Sequence, residues 1–237
     1  MKVAVTGASG HIGNCRKFIH FSSIHAFQIE SPDQILDENR SLVETNKSIY
    51  AFTKAEGERV VMKAVKEGLN AVILNPTAII GPFDYRSSLL GKALLKIYQN
   101  KLPFLVSGGY NWADVRDVVS ASINAIESGR NGERYILSGE FCSLKQLSAM
   151  ISKLSGCKIP FMVPVSLARI ACPFFGIYSL ITKNQPLYTS QSLDILVNSP
   201  SNISNAKAKR ELGYEPRPIE QTLKDTFDWY RENNIIN

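Results

Sequence analysis

The feature that most constrains the fold is a glycine-rich turn directly after a short apolar strand, Lys2–Val5. The turn reads Thr6-Gly7-Ala8-Ser9-Gly10-His11-Ile12-Gly13, with Gly7, Gly10 and Gly13 spaced as GxxGxxG. Glycine is needed where a strand turns tightly into a helix and the backbone must approach a pyrophosphate at the helix N-terminus. The turn therefore predicts a dinucleotide site, with an ordinary glycine-rich loop as the alternative.

Strands alternate with helices in the first part of the chain. Phe18–Ser23 alternates like a second strand, Ser48–Gly68 has apolar residues at helical spacing, and Ala71–Leu74 is typical of a buried parallel strand. Beyond Gly81 the pattern predicts helices over 88–100, 115–128, 143–155 and 219–233 and a strand over 134–137. We therefore predict an α/β fold with a doubly wound parallel sheet and a smaller mixed α/β region.

The spacing after the glycine turn conflicts with a complete fold of this kind. Only residues 14–17 separate Gly13 from the strand at Phe18, whereas a parallel crossover takes a dozen or more residues. We therefore expect that these two strands are not consecutive parallel neighbours in one sheet. The ribose-recognising residue expected about 20 positions beyond the turn is also absent, because that count reaches the loop Glu30–Asp33.

These two observations predict that a central block of the dinucleotide-binding domain, on the order of 80 to 100 residues, is missing after Asn14. Two explanations stay open. Either the sequence omits part of the natural chain, or the protein carries an internal deletion at Asn14-Cys15.

Composition excludes several classes of protein. Hydrophobic residues make up 44% of the chain and the mean hydropathy is -0.07, which argues against disorder and against a membrane protein. The apolar stretch Phe161–Ile181 is interrupted by Pro164, Arg169 and Pro173, so we expect buried or pocket-lining helices there. The net charge of +6 is spread without a dense basic run, so it favours an anionic small ligand over nucleic acid.

Cysteine and histidine usage indicates a reducing compartment and a protein without a metal site. The four cysteines show no CxxC pairing, the three histidines lack metal-ligand spacing, and the apolar run at Lys2–Val5 is too short for a signal peptide. A cytoplasmic protein with no bound metal is therefore expected.

A tyrosine and a lysine are predicted on one helical face. Tyr50 and Lys54 are four residues apart, and an ammonium beside a phenol favours the phenolate, which makes Tyr50 a candidate general acid or base. Nine tyrosines and sixteen lysines give about 0.6 such pairs by chance, so the spacing alone decides nothing. Ser22-Ser23 at the end of the preceding strand strengthens the hypothesis, because parallel sheets bind ligands there; a turn or helix cap is the alternative.

The motifs together resemble those of extended short-chain dehydrogenases, in particular the dihydroflavonol-reductase-like and sugar-epimerase-like branches. The resemblance covers nearly the whole chain from Arg16 onward. Besides the glycine turn, it is carried by Phe21-Ser22-Ser23, Tyr50 to Lys54, Asn75-Pro76-Thr77 to Gly81-Pro82, Phe83 to Ser87, Gly109 to Asp117, and Leu212-Gly213-Tyr214-Glu215-Pro216.

The resemblance implies a Rossmann-type fold and a role for each matching residue. Ser23 would orient a substrate carbonyl, Tyr50 would exchange the proton, and Lys54 would stabilise the phenolate and bind the nicotinamide ribose. The remaining residues would bind NAD or NADP or lie near the substrate. The cofactor set is Gly7, Gly10, His11, Ile12, Gly13, Lys54, Pro76, Thr77, Ala78 and Ile79, and the substrate set is Tyr85 and Arg86.

The resemblance also implies a domain division. Residues 1–82 with parts of 109–137 would form the incomplete dinucleotide-binding domain, residues 83–108 and 138–218 the substrate-binding region, and residues 219–237 a C-terminal helix. A homodimer through the helix Ser48–Gly68 is expected as well.

Three functions stay open from the sequence. The first is an NAD(P)-dependent oxidoreductase that interconverts a carbonyl and an alcohol by hydride transfer. The second is a nucleotide-sugar epimerase or dehydratase with the same residues, acting by transient oxidation. The third is a non-catalytic truncated remnant, which the missing block would favour. The expected partner is accordingly a small-molecule carbonyl or a sugar nucleotide.

Overall fold

A computed structural model describes residues 3–5, 16–29, 34–46, 48–170, 190–197 and 199–236. The described chain divides into two compact units. One contains residues up to Ile79 together with Trp112–Glu140 and Pro200–Arg217, and the other contains Ile80–Asn111, Phe141–Ser199 and the residues from Pro218 onward. The sequence-based domain boundaries stay a prediction.

A four-stranded parallel sheet forms the centre of the first unit. Its strands are β1 (Val3–Val5), β2 (Lys17–Phe21), β3 (Ala71–Pro76) and β7 (Arg134–Leu137), in the order β1-β2-β3-β7. All six residues of β3 are buried, as expected for a strand covered on both faces. The α/β class with a parallel sheet is therefore confirmed.

Helices cover both faces of this sheet, and alternate residues of β3 face opposite helices. Ala71 and Ile73 pack with Val61 of helix α1 (Ile49–Lys66). Val72 and Leu74 instead pack with residues of α3 (Val115–Ser128) and α6 (Ala206–Leu212). The two-residue period of the strand thus produces two apolar layers, one on each side of the sheet.

Helix boundaries follow local capping signals. The Ser48 hydroxyl accepts a hydrogen bond from the Ala51 amide at the start of α1, and Gly68, just after its end, has φ of 105°. Asp114 caps α3 in the same way by accepting from the Arg116 amide at 2.8 Å. The prediction for residues 115–128 matches α3, and those for Ser48–Gly68 and 134–137 are confirmed within two residues.

The second unit contains four helices with complete described bounds, the helical stretch 165–170 and several short strands. The helices are α2 (Leu89–Tyr98), α4 (Leu144–Ser155), α5 (Ser190–Val197) and α7 (Ile219–Glu232). Strands β5 (Phe104–Val106) and β9 (Phe161–Val163) pair in parallel. Three further strands pair in the order β4-β6-β8, and the unit boundary falls at them: β4 (Ala78–Ile80), β6 (Gly109–Asp114) and β8 (Glu140–Ser143).

The expectation of buried helices over Phe161–Ile181 is wrong for its first part. Phe161 lies on a strand with 84% of its surface exposed, and Leu167 and Ile170, in the helical stretch 165–170, are also exposed. Residues 171–181 lie outside the described residues. No described helix has the length and apolar character that crossing a membrane requires.

The structure also corrects the expectation about the first two strands. β1 and β2 are consecutive parallel neighbours, with Val3 opposite Lys17 and Val5 opposite Ile19. Eleven residues connect them and could span about 36 Å when extended, whereas a three-residue strand is only about 10 Å long. Counting from Gly13 leaves out residues 6–13, which also belong to the connection, and the full linker of eleven residues is close to the dozen that a parallel crossover takes.

The described sheet runs β1-β2-β3-β7 without interruption, and the block expected to be missing after Asn14 stays a prediction. Any missing strands would belong beyond one of its edges.

Candidate functional site

Ser22 and Ser23 follow directly after the carboxyl end of β2, and both are buried. The Ser22 amide continues the parallel ladder by donating to the Leu74 carbonyl at 2.8 Å. The Ser23 hydroxyl accepts from the His25 amide at 3.3 Å and caps the 3-10 turn Ile24–Ala26. The cap suggested by the sequence is therefore present, and the Ser23 hydroxyl still has its own proton to donate to a ligand.

Helix α1 places Lys54 against the same strand end. The Lys54 Nζ donates to the Phe21 carbonyl at 3.1 Å and lies 5.9 Å from the centre of the Tyr50 ring. Tyr50 is 39% exposed, so its ring is accessible from solvent. The structure thus brings an ammonium group, a phenol ring and the Phe21–Ser23 strand end together, although Tyr50 lies 27 positions after Ser23.

His25 contacts the Tyr50 ring and was not singled out by the sequence. The two ring centres are 6.2 Å apart with planes inclined by 65°, an edge-to-face arrangement. Burial lowers the pKa of His25 to about 4, so the imidazole beside the phenol is neutral at physiological pH. The short turn that follows Ser23 brings His25 against the Tyr50 ring on a different helix. Such a contact between two elements follows no rule of sequence spacing.

A buried polar network lies behind the serines and was also missed. The Glu58 carboxylate, whose side chain is fully buried, accepts from the Asn75 amide at 2.6 Å and from Arg134 Nε at 2.5 Å. The same Asn75 nitrogen donates to the Ser23 carbonyl at 3.1 Å. His20 lies nearby on β2, and its pKa is lowered by burial, with Glu58 opposing and Lys54 adding to that effect.

The segment assigned to the nicotinamide, Pro76–Ile79, leaves the carboxyl end of β3. Thr77 is buried, and its amide and hydroxyl donate to the Leu137 carbonyl at 3.2 and 3.4 Å. Ala78 and Ile79 are half-buried at the start of β4, and Ile79 packs on the core shared with α3. The Thr77 hydroxyl therefore ties β3 to β7.

Tyr85 and Arg86 belong to the second unit, and both are exposed. The Tyr85 ring meets Trp229 edge-on with centres 5.0 Å apart, and Phe83 also contacts Trp229 at 6.0 Å. Phe83 has φ of 72°, an uncommon conformation for a residue with a side chain. The structure thus places Tyr85 in an aromatic cluster, and its role toward a substrate stays a prediction.

The residues of the glycine turn lie outside the described residues: Gly7, Gly10, His11, Ile12 and Gly13. The described candidate donor, Lys54, concerns the nicotinamide ribose half of a nicotinamide cofactor. An ammonium has three N–H donors, and the contact with the Phe21 carbonyl engages one donor of Lys54. Two donors stay available for ribose hydroxyls beside an accessible phenol, so the described donor set fits this half.

Comparisons with known proteins agree on the family. The profile of the NAD dependent epimerase/dehydratase family matches residues 5–138. The chain is 29% identical over 227 residues to the sterol demethylase protein B of Methylococcus capsulatus, covering 93% of this chain and 68% of that protein. It is 28% identical over 232 residues to a protein of Synechocystis sp. provisionally named a dihydroflavonol 4-reductase, covering 92% of this chain and 65% of that protein.

Solved structures share the fold. A nucleoside-diphosphate-sugar epimerase from Pseudomonas aeruginosa superposes with a TM-score of 0.76 at 22% identity, covering 94% of this chain and 68% of that one. More distant structures of the same fold are complexes with NAD and with NADPH. The chain thus spans about two thirds of the length of these proteins.

Proposed function

Because this chain belongs to the NAD dependent epimerase/dehydratase family, we propose that it is an NAD(P)-dependent oxidoreductase that interconverts a carbonyl and an alcohol. Ser23, Tyr50 and Lys54 would carry the reaction. One observation supports this assignment most directly. Lys54 contacts the end of β2 next to the Ser22-Ser23 pair and lies beside the Tyr50 ring, so α1 holds an ammonium and a phenol at a strand end where parallel sheets bind ligands.

Each of the three side chains has a distinct task in the proposed reaction. The Ser23 hydroxyl donates a hydrogen bond to the substrate oxygen and holds the carbonyl in place. In the direction of reduction, the Tyr50 phenol gives its proton to that oxygen as the carbonyl carbon gains a hydride; in oxidation the phenolate takes the proton back. The Lys54 ammonium stabilises the phenolate electrostatically. When bound, the nicotinamide supplies or accepts the hydride.

The cofactor would contact both the described and the undescribed parts of the chain. Lys54 would donate to the nicotinamide ribose, and Pro76, Thr77, Ala78 and Ile79 would line the ring. Gly7, Gly10, His11, Ile12 and Gly13 would hold the pyrophosphate. Tyr85 and Arg86 would contact the substrate, whose proposed class is a carbonyl compound or a sugar nucleotide.

An epimerase or dehydratase is the second candidate, and the similarity to solved structures of sugar-nucleotide epimerases favours it. The same residues would oxidise the substrate transiently and reduce it again. The two functions differ in their use of cofactor. A reductase consumes NAD(P)H in proportion to the carbonyl that it reduces, whereas an epimerase retains its cofactor and shows no net redox change.

A truncated remnant is the third candidate, because about a third of the related proteins has no counterpart in this chain. We propose that the missing part is a block after Asn14, either omitted from the sequence or deleted from the protein. Intact-mass spectrometry of the purified natural protein distinguishes these cases. A mass near 26.3 kDa would establish the deletion, and a larger mass would show that residues were left out.

Cofactor titration of the 237-residue chain tests the proposed function. Binding of NAD(H) or NADP(H) in the micromolar range, followed by carbonyl-dependent oxidation of the reduced cofactor, is the expected result. Lack of binding at millimolar concentration of either cofactor would overturn the proposal for this chain and favour the remnant. A cytoplasmic location, a homodimer and the absence of nucleic-acid binding stay predictions from the sequence.

A further inference from the structure

Two buried side chains, Glu58 and Asn75, together with the half-buried Arg134, connect the edge of the sheet to the segment that carries Ser23. Arg134 on β7 donates to Glu58 on α1, Asn75 on β3 donates to the same carboxylate, and Asn75 also donates to the Ser23 carbonyl. Glu58 and Asn75 have no exposed surface. A buried carboxylate is costly unless it is paired and hydrogen-bonded, so this arrangement needs a physical reason.

The hydrogen-bonding capacity of the network explains how it orients Asn75. A carboxylate only accepts hydrogen bonds, so Glu58 requires the amino side of the Asn75 amide to face it. One N–H of that group meets Glu58 Oε1, and the second is then directed at the Ser23 carbonyl. The other oxygen of Glu58 is occupied by Arg134, which fixes the carboxylate itself.

The segment from Phe21 to Ser23 is held at both ends. The Lys54 ammonium bonds to the Phe21 carbonyl, and the Asn75 amide bonds to the Ser23 carbonyl. Lys54 and Glu58 are one helical turn apart on α1. The same helix therefore supplies the contact with the Phe21 carbonyl through Lys54 and orients, through Glu58, the Asn75 amide that bonds to the Ser23 carbonyl. The Ser23 hydroxyl is placed by the backbone that these two contacts hold.

We propose that Glu58 and Asn75 are positioning residues, which hold the Ser23 hydroxyl where it can orient a substrate carbonyl. The proposal rests on the function proposed above. It predicts that both residues act on the rate through Ser23 and leave cofactor affinity nearly unchanged. Arg134 contributes by pairing with the second oxygen of Glu58.

A double-mutant cycle tests whether the effect passes through Ser23. Asn75→Ala and Glu58→Gln should each lower kcat by about ten- to a hundredfold, because small displacements of a positioning group cost rates of this size. In a Ser23→Ala background, Asn75→Ala should lose most of that effect. Equal losses in both backgrounds would show a general structural role and overturn the proposal. Glu58→Gln is close in shape to the parent and serves if Asn75→Ala does not fold.

The matched control is Asn205→Ala. Asn205 also donates its amide to a backbone carbonyl just beyond a strand end, that of Ser138 after β7, at 2.7 Å. Its loss removes a comparable hydrogen bond far from Ser23 in sequence. The control should leave kcat close to that of the parent, and a loss as large as that of Asn75→Ala would contradict the proposal.

Hydrogen exchange supplies a readout that does not depend on turnover. The His25 amide donates to the Ser23 hydroxyl, so its exchange reports how firmly the segment is held. Exchange over residues 22–27 should be about tenfold faster in Asn75→Ala and unchanged in Asn205→Ala. If the parent chain reduces no carbonyl, the proposed function fails. The hydrogen-exchange rates then test separately whether Asn75 holds the Ser23 segment, and equal exchange rates in the parent and in Asn75→Ala would overturn that part of the proposal.

Discussion

At the scale of single residues, the proposed chemistry centres on Tyr50 and its two neighbours. Lys54 places a positive charge 5.9 Å from the centre of the ring, and His25 meets the ring edge-on as a neutral imidazole. The phenol therefore has one charged and one uncharged neighbour at physiological pH. In the proposed reaction, Lys54 would therefore act on the phenol electrostatically, and His25 would act on it by packing.

Tyr50→Phe should remove most turnover and leave cofactor affinity nearly unchanged. The substitution deletes only the hydroxyl that exchanges the proton, and loss of such a group costs about a hundred- to ten-thousandfold in rate. Steady-state kinetics together with cofactor titration check this. Tyr98→Phe, on a ring that stacks on Phe227, is the control and should retain the parent rate. A full rate in Tyr50→Phe would refute the assigned proton path.

Lys54→Ala should reduce both kcat and cofactor affinity. The lysine is assigned to the phenolate and to the nicotinamide ribose, and its bond to the Phe21 carbonyl also holds the strand end. The same two measurements test this expectation. A variant that lost rate and bound cofactor as tightly as the parent would contradict the ribose contact.

His25 should make stability depend on pH between about 6.5 and 4. Its pKa in the folded chain is about 4 and its ordinary value is 6.5, so the unfolded chain binds a proton in this window and the folded chain does not. Stability due to the neutral imidazole is therefore complete above pH 6.5 and falls as the pH drops toward 4. The loss at pH 5 should be about 2 kcal/mol.

Urea unfolding of the parent and of His25→Gln at pH 7.5 and pH 5 measures this contribution. The glutamine variant does not titrate at this position, so its stability should fall by about 2 kcal/mol less than that of the parent. His20, whose pKa is also lowered, adds to the fall in both proteins and cancels in the comparison. An equal fall in parent and variant would show that His25 is not held neutral.

At the scale of elements, the boundaries are set by short polar contacts. Helix α4 begins with a reciprocal pair, in which the Ser143 hydroxyl accepts from the Gln146 amide at 3.2 Å and the Gln146 side chain accepts from the Ser143 amide at 3.0 Å. Such a capping box satisfies two backbone donors that a helix start leaves without partners. α4 ends at Ser155 and is capped by Gly156, whose φ of 70° suits a residue without a side chain.

Ser143→Ala should destabilise the protein by about 1 kcal/mol, the usual cost of losing an N-cap. The free energy of unfolding in urea is the measurement. Ser120→Ala, at an exposed position in the middle of α3, is the control, and it should change stability by less than about 0.5 kcal/mol. Equal effects at the two serines would show that the capping box does not stabilise α4.

At the scale of the whole molecule, association with a second copy is the open question. Ile49 and Val60 are exposed on α1, at 73% and 67% of their surfaces, and lie three turns apart on one helical face. Apolar side chains on one exposed face favour self-association in symmetric pairs. This pattern supports the predicted homodimer through α1.

Light scattering of the purified chain should give the mass of a dimer, and Val60→Lys should shift it toward the monomer because a buried, unpaired ammonium is costly at an apolar interface. Val119→Lys, at an exposed position on α3, is the matched control and should stay dimeric. A parent that is monomeric at all concentrations would refute the prediction.

Local sequence patterns determined the elements and the pairing of Tyr50 with Lys54. Helical periodicity with a serine cap defines α1, and an unbroken apolar run defines β3, because such signals depend only on residues within one or two turns. The sequence did not predict short strands such as β5 and β6, since three to six residues beside glycines are too few to show a clear hydrophobic alternation. The sequence did not predict the pairing of β1 with β2 either, because the length of a linker restricts which strands can be neighbours and does not determine which strands pair.

Only the tertiary structure decided what surrounds the candidate site. In the sequence, Glu58 has the position of a polar residue of an amphipathic helix, yet it is completely buried and its partners Asn75 and Arg134 are 17 and 76 residues away. His25 meets Tyr50 for the same reason. Side chains distant in sequence become partners when strands and helices pack, and periodicity within one element carries no information about which element will lie against it.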